Sequence, residues 1–484
     1  MDRKYLVQSL SRIVGQEHVI HRPEQLLVYE TDGLTAFQQM PEVVVLPETT
    51  DQVSGVLRFC YQHGVPFVPR GKGTGLSGGA LPVEGAVVVS TERMRRILEV
   101  DLENQRAIVE PGVINLWVTQ AVADQGYYFA PDPSSQLVCS VGGNVAENSG
   151  GVHCLKYGVT VNHVLGLEVV LPDGEVVQLG GKELETPGYD LTGVFVGSEG
   201  TLGIATRITV RLLRKAEAVK TYLAAFETIG AAGGAVSDVI AAGIIPGGIE
   251  LMDKLSIQAV EEATHAGYPV EAGAVMICEV DGPPAEVDEY ARRLEEICHR
   301  RGATEVRLAR DDAERALLWK GRKAAFAAAG RLSPNYYVQD GVIPRTTLPQ
   351  VLDEIEQMTE RFGLRCANVF HAGDGNLHPL ILYDAKVPGS LERAEKFGGA
   401  ILKLCVEVGG SITGEHGVGL DKKGYMPTMF TADDLDTMQL VRCAFDPRRL
   451  SNPNKVFPTP RLCAERGGPY RPHPLEQAGV LERF

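Results

Sequence analysis

Several features that this sequence lacks exclude whole classes of protein. No apolar run reaches the roughly 18 residues of a membrane-spanning helix, and the first residues, MDRKYLVQSLSRIVG, lack the apolar core and cleavage site of a secretory signal. The nine cysteines form no CxxC or CxxCH motif, which argues against an iron–sulfur cluster or a c-type haem in this chain. We therefore expect a cytoplasmic protein with free thiols.

Charge and size exclude further classes. The net charge is −15, so neither nucleic acid nor an anionic membrane is expected as a direct partner. The hydrophobic fraction of 44% and the charged fraction of 23% are typical of a globular protein. With about 100–200 residues per domain, a chain of 484 residues predicts two or three domains.

Apolar periodicity divides the chain into parts. In residues 43–70 the segments VVVLP, DQVSGVLRFCYQHG and VPFVPR predict a strand, a helix and a strand. A strand-rich block follows, in which Asp173-Gly174 predicts a hairpin turn. Residues 215–458 mix helical and strand patterns, which predicts a separate α+β domain. Residues 459–484 are rich in Pro, Gly, Arg and Glu and predict a surface tail.

A glycine-rich loop at 69–79, PRGKGTGLSGG, contains the pattern G-x-G-x-x-G. The dinucleotide-binding fingerprint requires a helix directly after this pattern, but here Pro82 and a β-branched strand follow. The glycines still let the backbone approach an anion closely, and Arg70 and Lys72 add positive charge. The pattern is typical either of a loop between strands that binds a pyrophosphate or of a flexible surface loop.

Three more stretches of this kind follow: PDPSS at 131–135, SVGGNVAENSGG at 140–151 and GSEGTLGI at 197–204. Four such loops in one domain predict an extended polar ligand that lies along the backbone. In this order they resemble the FAD-binding domain of the vanillyl-alcohol-oxidase-type flavoproteins. DPRRLSNPNKVF at 446–457 is similar to that family's closing segment, so the resemblance spans nearly the whole chain.

The resemblance implies an α+β fold with an FAD-binding domain over residues 1–214, a substrate domain over 215–458 and the tail. The FAD-binding domain would consist of two subdomains, about 1–95 and 96–214. FAD would bind noncovalently, because the first glycine loop lacks the histidine that covalent relatives use. The positions that match the family's FAD contacts are Pro69, Arg70, Gly71, Lys72, Gly73, Thr74, Gly75, Leu76, Gly78, Pro131, Asp132, Ser135, Gly142, Gly143, Asn144, Asn148, Gly150, Gly151, Glu199, Gly200, Gly203, Ile204 and Asn452.

A motif of a second kind is HAGDGNLHP, residues 371–379. A two-residue type I′ turn at Asp374-Gly375 would pair His371 directly with His378, with their Cβ atoms about 4.5–5.5 Å apart on one face. That separation suits two imidazoles on one metal ion. The alternative is a polar turn whose histidines are incidental.

Two further segments carry reactive groups. In GGSITGEHGVG (409–419), Glu415 and His416 are adjacent, and both face one site only if the glycines bend the chain there. In LLWKGRKAAF (317–326), the guanidinium of Arg322 is suited to binding a carboxylate through two hydrogen bonds. Taken alone, both segments are better explained as solvated polar surface.

Within the family, the chain is most similar to the 2-hydroxy-acid dehydrogenases. This group includes the FAD-binding subunits of bacterial glycolate oxidase and the D-lactate and D-2-hydroxyglutarate dehydrogenases. The roles that this resemblance implies are divalent-metal ligands for His371, His378 and Glu415, general base for His416, carboxylate anchor for Arg322 and substrate-pocket residue for Asn376. A set of two histidines and a glutamate accepts Zn, Mn or Fe.

The implied reaction is FAD-dependent oxidation of glycolate or D-lactate to the 2-oxo acid, with hydride transfer to flavin N5 and metal-assisted proton removal by a histidine base. The resemblance to glycolate oxidase subunits implies an iron–sulfur subunit as electron acceptor, through which the chain would associate with a membrane. A stand-alone dehydrogenase would instead use quinone, a cytochrome or an electron-transfer flavoprotein. Whether it forms a homodimer stays open. Two other functions stay open: a metal-dependent hydrolase, which leaves the glycine loops unexplained, and a noncatalytic subunit that holds FAD structurally.

Overall fold

The computed structural model describes residues 1–183 and 187–458, so the predicted tail at 459–484 lies outside the described residues. The first elements are α1 (Arg3–Val14), β1 (Val19–Ile20), α2 (Pro23–Leu26), β2 (Val43–Val45), α3 (Thr50–His63), β3 (Phe67–Arg70) and β4 (Val87–Ser90). The strands form a sheet in the order β1-β2-β4-β3, with β2 and β3 parallel to β4. The predicted strand, helix and strand are confirmed: Thr49 caps the start of α3, and Gly64 ends it in a left-handed conformation.

A second, antiparallel sheet follows. Its elements and their neighbours are β5 (Ile97–Asp101), β6 (Arg106–Val109), α4 (Asn115–Val122), β7 (Tyr127–Tyr128), α5 (Val141–Glu147), α6 (Cys154–Tyr157), β8 (Val164–Val170), β9 (Val176–Gly180), α7 (Leu191–Phe195), β10 (Ile204–Arg211) and β11 (Leu213–Arg214). The sheet order is β5-β6-β10-β8-β9, and β7 pairs with β11. The predicted hairpin at Asp173-Gly174 is confirmed, because it joins β8 to β9 with Gly174 at a φ of 89°.

The rest of the chain builds an eight-stranded antiparallel sheet. The elements are β12 (Ala218–Phe226), α8 (Ile229–Ala241), β13 (Gly248–Asp253), α9 (Lys254–Thr264), β14 (Ala274–Gly282), α10 (Pro284–Arg300), β15 (Glu305–Leu308), α11 (Asp312–Lys323), α12 (Ala325–Ala328), β16 (Asn335–Val338), β17 (Gly341–Val342), α13 (Leu348–Phe362), β18 (Cys366–His371), β19 (Asn376–Tyr383), α14 (Ser390–Glu407), α15 (Met426–Met429) and α16 (Ala432–Phe445). The order is β15-β12-β14-β13-β18-β19-β16, and β17 also pairs with β19.

Helices cover both faces of this large sheet. Side chains of α8, α10, α13 and α14 pack on one face, and those of α9, α11 and α12 pack on the other. Because side chains alternate along a strand, Glu250, His371 and His378 all lie on the face covered by α11. The fold therefore gathers three buried polar residues on a largely apolar face. The sheets and helices together confirm the predicted α+β class.

Two expectations about membranes and thiols can be compared with the structure. Among the helices in residues 1–183 and 187–458, none is both long and apolar enough to cross a membrane. Seven cysteines of this part of the chain are free thiols, but the expectation is wrong for Cys443 in α16, which forms a disulfide. Sequence spacing does not reveal such a bond, because the folded geometry decides which sulfur atoms meet.

Candidate active site

A cavity of about 340 Å³ is lined by parts of all four loops that the sequence singles out. The first of them runs from β3 to β4 without a helix, as predicted. Several lining residues stand at positions that match FAD contacts of the family. These are Pro69, Arg70, Gly71, Lys72, Gly73, Thr74, Gly75, Leu76, Ser135, Gly142, Gly143, Asn144, Glu199, Gly200, Gly203 and Ile204.

The loops approach one another so closely that glycine is required. A Cβ atom on Gly71 would lie 2.4 Å from Ser140 Oγ, and one on Gly142 would lie 2.5 Å from the Cβ of Pro111. The wall is therefore largely backbone, whose N–H groups can face the phosphates of a bound nucleotide. Arg70 on the same wall adds positive charge. These features fit FAD.

The remaining predicted cofactor residues are not among those that line the cavity: Gly78, Pro131, Asp132, Asn148, Gly150, Gly151 and Asn452. Asn452 donates hydrogen bonds from Nδ2 to the carbonyl oxygens of Gly79 and Glu199, which attaches the closing segment to two of the loops. The Asp132 carboxylate contacts His153 and Lys323. Direct FAD contact by these residues stays a prediction.

The stretch at 140–151 is not entirely a loop, because its residues Val141–Glu147 form helix α5. Ser140 caps this helix by accepting the N–H of Gly143, and Asn148 ends it in a left-handed conformation with a φ of 53°. Two glycines in its first turn conceal the helix in the sequence, since glycine has a low helix propensity.

The histidine hairpin forms, but the predicted direct pairing of His371 with His378 is wrong. His371 pairs with Asn376, so the loop contains four residues instead of two. A type I′ turn needs a positive φ at both central residues, and in the predicted pair only Gly375 has one. The register differs by two residues, which keeps both histidines on one face, with ring centroids 5.0 Å apart. Asn376 is buried beside them.

Glu415 lies between the two histidines. Its Oε1 is 3.3 Å from Nε2 of His371 and 3.3 Å from Nε2 of His378. Within the described residues, neither ring nitrogen of His378 nor Oε2 of Glu415 has a hydrogen-bond partner. Buried polar atoms without partners call for an additional group, and two imidazoles with a carboxylate are a common zinc set. The cluster therefore fits a divalent metal ion.

A buried aspartate, Asp340, bends the segment that carries Glu415 and His416. Its carboxylate accepts the backbone N–H groups of Gly414 at 3.1 Å, Glu415 at 3.1 Å and His416 at 2.9 Å. It also pairs with Lys422 Nζ at 2.9 Å. The bend brings His416 Nε2 within 3.7 Å of Glu415 Oε1, and both residues line the cavity. Adjacent residues thus face one site, which an extended chain would prevent.

The charges around this bend set the protonation of His416. Burial opposes the charge of Asp340, but Lys422 holds the pKa of Asp340 well below its usual range. Burial lowers the pKa of His416 to about 4, and Asp340 offsets this only in part. The imidazole of His416 is therefore neutral at pH 7 and can accept a proton.

Arg322 on α11 is fully buried and borders the cluster through Glu250. Its Nη2 lies 2.5 Å from Oε2 of Glu250, whose Oε1 lies 2.8 Å from Nδ1 of His371. Arg322 is not part of the cavity lining, whereas Lys323 and Phe326 are. The predicted anchor thus reaches the histidine cluster more directly than it reaches the cavity.

Sequence reasoning missed Glu250 and Asp340. Each stands alone as a charged residue in a strongly apolar stretch, GIELM and YYVQDGVI. A buried charge requires a partner, so a lone charged residue in an apolar stretch predicts a buried polar contact. The partners themselves are distant in sequence, and only the folded chain reveals them.

Residues 215–456 match the family model described as "FAD linked oxidases, C-terminal domain", and residues 41–180 match the model described as "FAD binding domain". The chain belongs to the FAD-linked oxidases. This oxidase is 51% identical over 484 residues to glycolate oxidase subunit GlcD of Escherichia coli strain K12, covering 100% of this chain and 97% of that protein. It is 41% identical over 470 residues to GlcD of Bacillus subtilis strain 168, covering 96% of this chain and 100% of that protein.

A solved structure confirms the predicted fold type. The 4-ethylphenol oxidase from Gulosibacter chungangensis superposes with a TM-score of 0.78 at 20% identity, covering 94% of this chain and 97% of that chain. The fold is therefore that of the vanillyl-alcohol-oxidase type with a C-terminal domain. Together with the family match, the cavity identifies an FAD-dependent oxidoreductase.

Proposed function

We propose that this FAD-linked oxidase oxidises a small 2-hydroxy acid, glycolate or D-lactate, to the 2-oxo acid. One observation carries the proposal: Glu415 and His416 line the same cavity as the glycine loops. A metal-binding cluster and a cofactor cavity therefore share a wall, where a substrate would contact both. The names of the relatives described as glycolate oxidase subunits support glycolate.

The substrate would be held at two points. Arg322 would bind its carboxylate, because Nε and Nη1 have no hydrogen-bond partner within the described residues. Asn376 would add a polar contact beside the histidines. The residues that would hold a divalent metal, Zn, Mn or Fe, are His371, His378 and Glu415.

His416 would take the proton of the substrate hydroxyl group. Its Nε2 lies 3.7 Å from Oε1 of Glu415, and its ring stacks on that of His378 with centroids 4.8 Å apart. When bound, FAD supplies the hydride acceptor and the metal supplies Lewis acidity. The protein then contributes orientation, a base in its neutral form and the exclusion of water from a buried site.

We also propose a division of labour along the chain. Residues 1–214, with subdomains of about 1–95 and 96–214, would bind FAD, and residues 215–458 would bind substrate. Noncovalent binding of FAD is supported by the absence of histidine from the loop at 69–79. The relatives are named as subunits, which supports a complex in which an iron–sulfur subunit accepts electrons.

Stopped-flow measurement of flavin reduction tests the proposed function. The FAD-loaded protein is mixed with glycolate, D-lactate, L-lactate or D-2-hydroxyglutarate, and the loss of oxidised-flavin absorbance is followed. We expect fast reduction by glycolate or D-lactate, slower reduction after chelator treatment, and recovery when metal is restored. Failure of every 2-hydroxy acid to reduce bound FAD would contradict the proposal and favour a noncatalytic subunit. The hydrolase alternative is not retained, because it gives the FAD-binding domain no role.

A further inference from the structure

Glu250 contacts two side chains that have different proposed roles. It lies on β13, directly opposite His371 of β18 in the strand pairing. Its Oε1 is 2.8 Å from Nδ1 of His371, and its Oε2 is 2.5 Å from Nη2 of Arg322. The exposed fractions of these side chains are 1% for Glu250, 4% for His371 and 0% for Arg322, so water does not compete for the contacts.

The contact with His371 fixes which ring nitrogen is available. An ionised carboxylate only accepts hydrogen bonds, so Nδ1 carries the proton that faces Glu250. Nε2 is the nitrogen that faces Glu415, at 3.3 Å. A carboxylate on the far nitrogen orients an imidazole for metal binding and increases its basicity.

The contact between Glu250 and Arg322 is an ion pair that holds the guanidinium by charge. Within residues 1–183 and 187–458, Nε, Nη1 and Nη2 are all buried without a hydrogen-bond partner, which leaves donors for an anionic group. Glu250 provides the negative charge that a buried arginine needs when no substrate is bound. A single carboxylate therefore contacts both a proposed metal ligand and the proposed carboxylate anchor.

We propose that Glu250 is a positioning residue that holds His371 for metal binding and Arg322 for carboxylate binding at the same time. This inference rests on the proposed function, which gives His371 and Arg322 those roles. Because one side chain holds both groups, metal affinity and carboxylate affinity decrease together when Glu250 is replaced. An ion pair with a purely structural role would destabilise the fold without this joint loss.

The test uses Glu250→Gln in the full-length, FAD-loaded protein, with two measurements that need no turnover. Mn²⁺ affinity is measured by titration of the chelator-treated protein. Carboxylate affinity is measured at saturating Mn²⁺ with oxamate, which the flavin does not oxidise, by the change in the flavin spectrum. We expect both dissociation constants to increase at least about tenfold while FAD stays bound. An unchanged value for either one overturns the proposal.

Glu279 provides a matched control. It lies on the neighbouring strand β14, its side chain is 8% exposed, and it accepts hydrogen bonds from Thr221 and Trp319. Glu279→Gln removes a similarly buried charge whose contacts are with Thr221, Trp319, His153 and Arg315 and not with His371 or Arg322, so both affinities should stay unchanged. A joint loss in this control as well would show a general effect of sheet destabilisation and overturn the proposal.

Two further outcomes separate the possible failures. If Glu250→Gln loses FAD, Glu250→Asp is measured instead, because it keeps the charge but withdraws the carboxylate by one methylene group. It should weaken both affinities, and unchanged affinities overturn the role of Glu250. Wild-type protein that binds neither Mn²⁺ nor oxamate contradicts the proposed function itself. Wild-type and Glu250→Gln proteins that bind both equally well contradict only the role of Glu250.

Discussion

The cofactor cavity and the histidine cluster share a wall but are built in opposite ways. The cavity is formed largely by backbone from loops rich in glycine, in which side chains would clash. The cluster is formed by side chains from β18, β19 and the segment around Glu415, and Glu250 and Asp340 hold them. The cavity is therefore sensitive to backbone conformation, and the cluster is sensitive to the identity of single side chains.

We expect His416→Ala to give the largest effect that distinguishes the histidine cluster from the cofactor cavity. Loss of a general base typically lowers the rate by about 10²–10⁴-fold, so we expect kcat to decrease by that factor. FAD should stay bound, because the glycine loops hold it. Steady-state dye reduction and the flavin content of the purified protein check the two parts of this prediction. His299→Ala, on the exposed surface of α10, is the control and should change neither. Retained turnover in His416→Ala would exclude its role as base.

Asp340→Asn should damage the cluster through its support. The amide leaves Lys422, which is 1% exposed, without a charged partner, and its NH₂ group faces backbone N–H donors. Breaking a buried ion pair in this way destabilises a protein by about 3 kcal/mol or more. Thermal unfolding should show the decrease, and Asp340→Asn combined with Lys422→Met should recover part of it. Asp311→Asn is the control, because Asp311 is exposed and asparagine also caps a helix such as α11. Equal melting temperatures for wild type and Asp340→Asn would exclude the clamp.

The difference between the cavity and the cluster also explains which features the sequence predicts correctly. Glycine loops and the Asp173-Gly174 hairpin are local features, because composition and turn chemistry lie within a few residues. The sequence predicts the hairpin after His371 correctly, but the predicted register is wrong, since the four-residue loop depends on contacts outside the motif. One of these is the hydrogen bond from Ile343 N–H to the carbonyl of Gly375. Helix α5 was missed for the converse reason, because local glycine content outweighed the Ser140 cap.

The histidine cluster shows more clearly which contacts the sequence does not predict. The two histidines could be taken from the hairpin motif and Glu415 from the family resemblance, but the residues that support them could not. Glu250 reaches His371 across 121 positions of the chain, and Asp340 reaches His416 across 76. No local pattern contains both partners of such a contact, so their pairing is a property of the folded sheet.

A contact between residues 1–214 and residues 215–458 gives a smaller, pH-dependent effect. His153 Nδ1 lies 3.0 Å from Asp132 Oδ2, which Lys323 also contacts, and His153 Nε2 lies 3.5 Å from Glu279. Burial opposes the charge of His153, but Asp132 and Glu279 raise its pKa to about 10. A raised pKa stabilises the fold fully below the unfolded value of about 6.5, and the gain is lost as pH rises towards 10.

The free energy of unfolding should therefore decrease between pH 6.5 and 10 by about 2 kcal/mol more in wild type than in His153→Gln. The amount is kept modest because the His153 side chain is 26% exposed and solvent screens its contacts. Denaturant titrations at several pH values check this slope. Parallel curves for the two proteins would show that the contacts of His153 with Asp132 and Glu279 carry no proton-linked stability.

The smallest expected effect concerns the backbone of the cavity itself. Gly73 has a φ of 68°, and a Cβ atom there would lie 2.2 Å from Nη2 of Arg70, whose flexible side chain would have to move. Gly75 needs no left-handed conformation, and a Cβ atom on it would meet nothing closer than Glu147 Oε1 at 3.9 Å. Alanine at a left-handed position costs roughly 1–2 kcal/mol, so Gly73→Ala should lower the unfolding free energy of the FAD-free protein by about 1 kcal/mol and Gly75→Ala should not. Thermal unfolding of the two variants checks the difference. Equal shifts would mean that neither the left-handed conformation of Gly73 nor its approach to Arg70 requires glycine there.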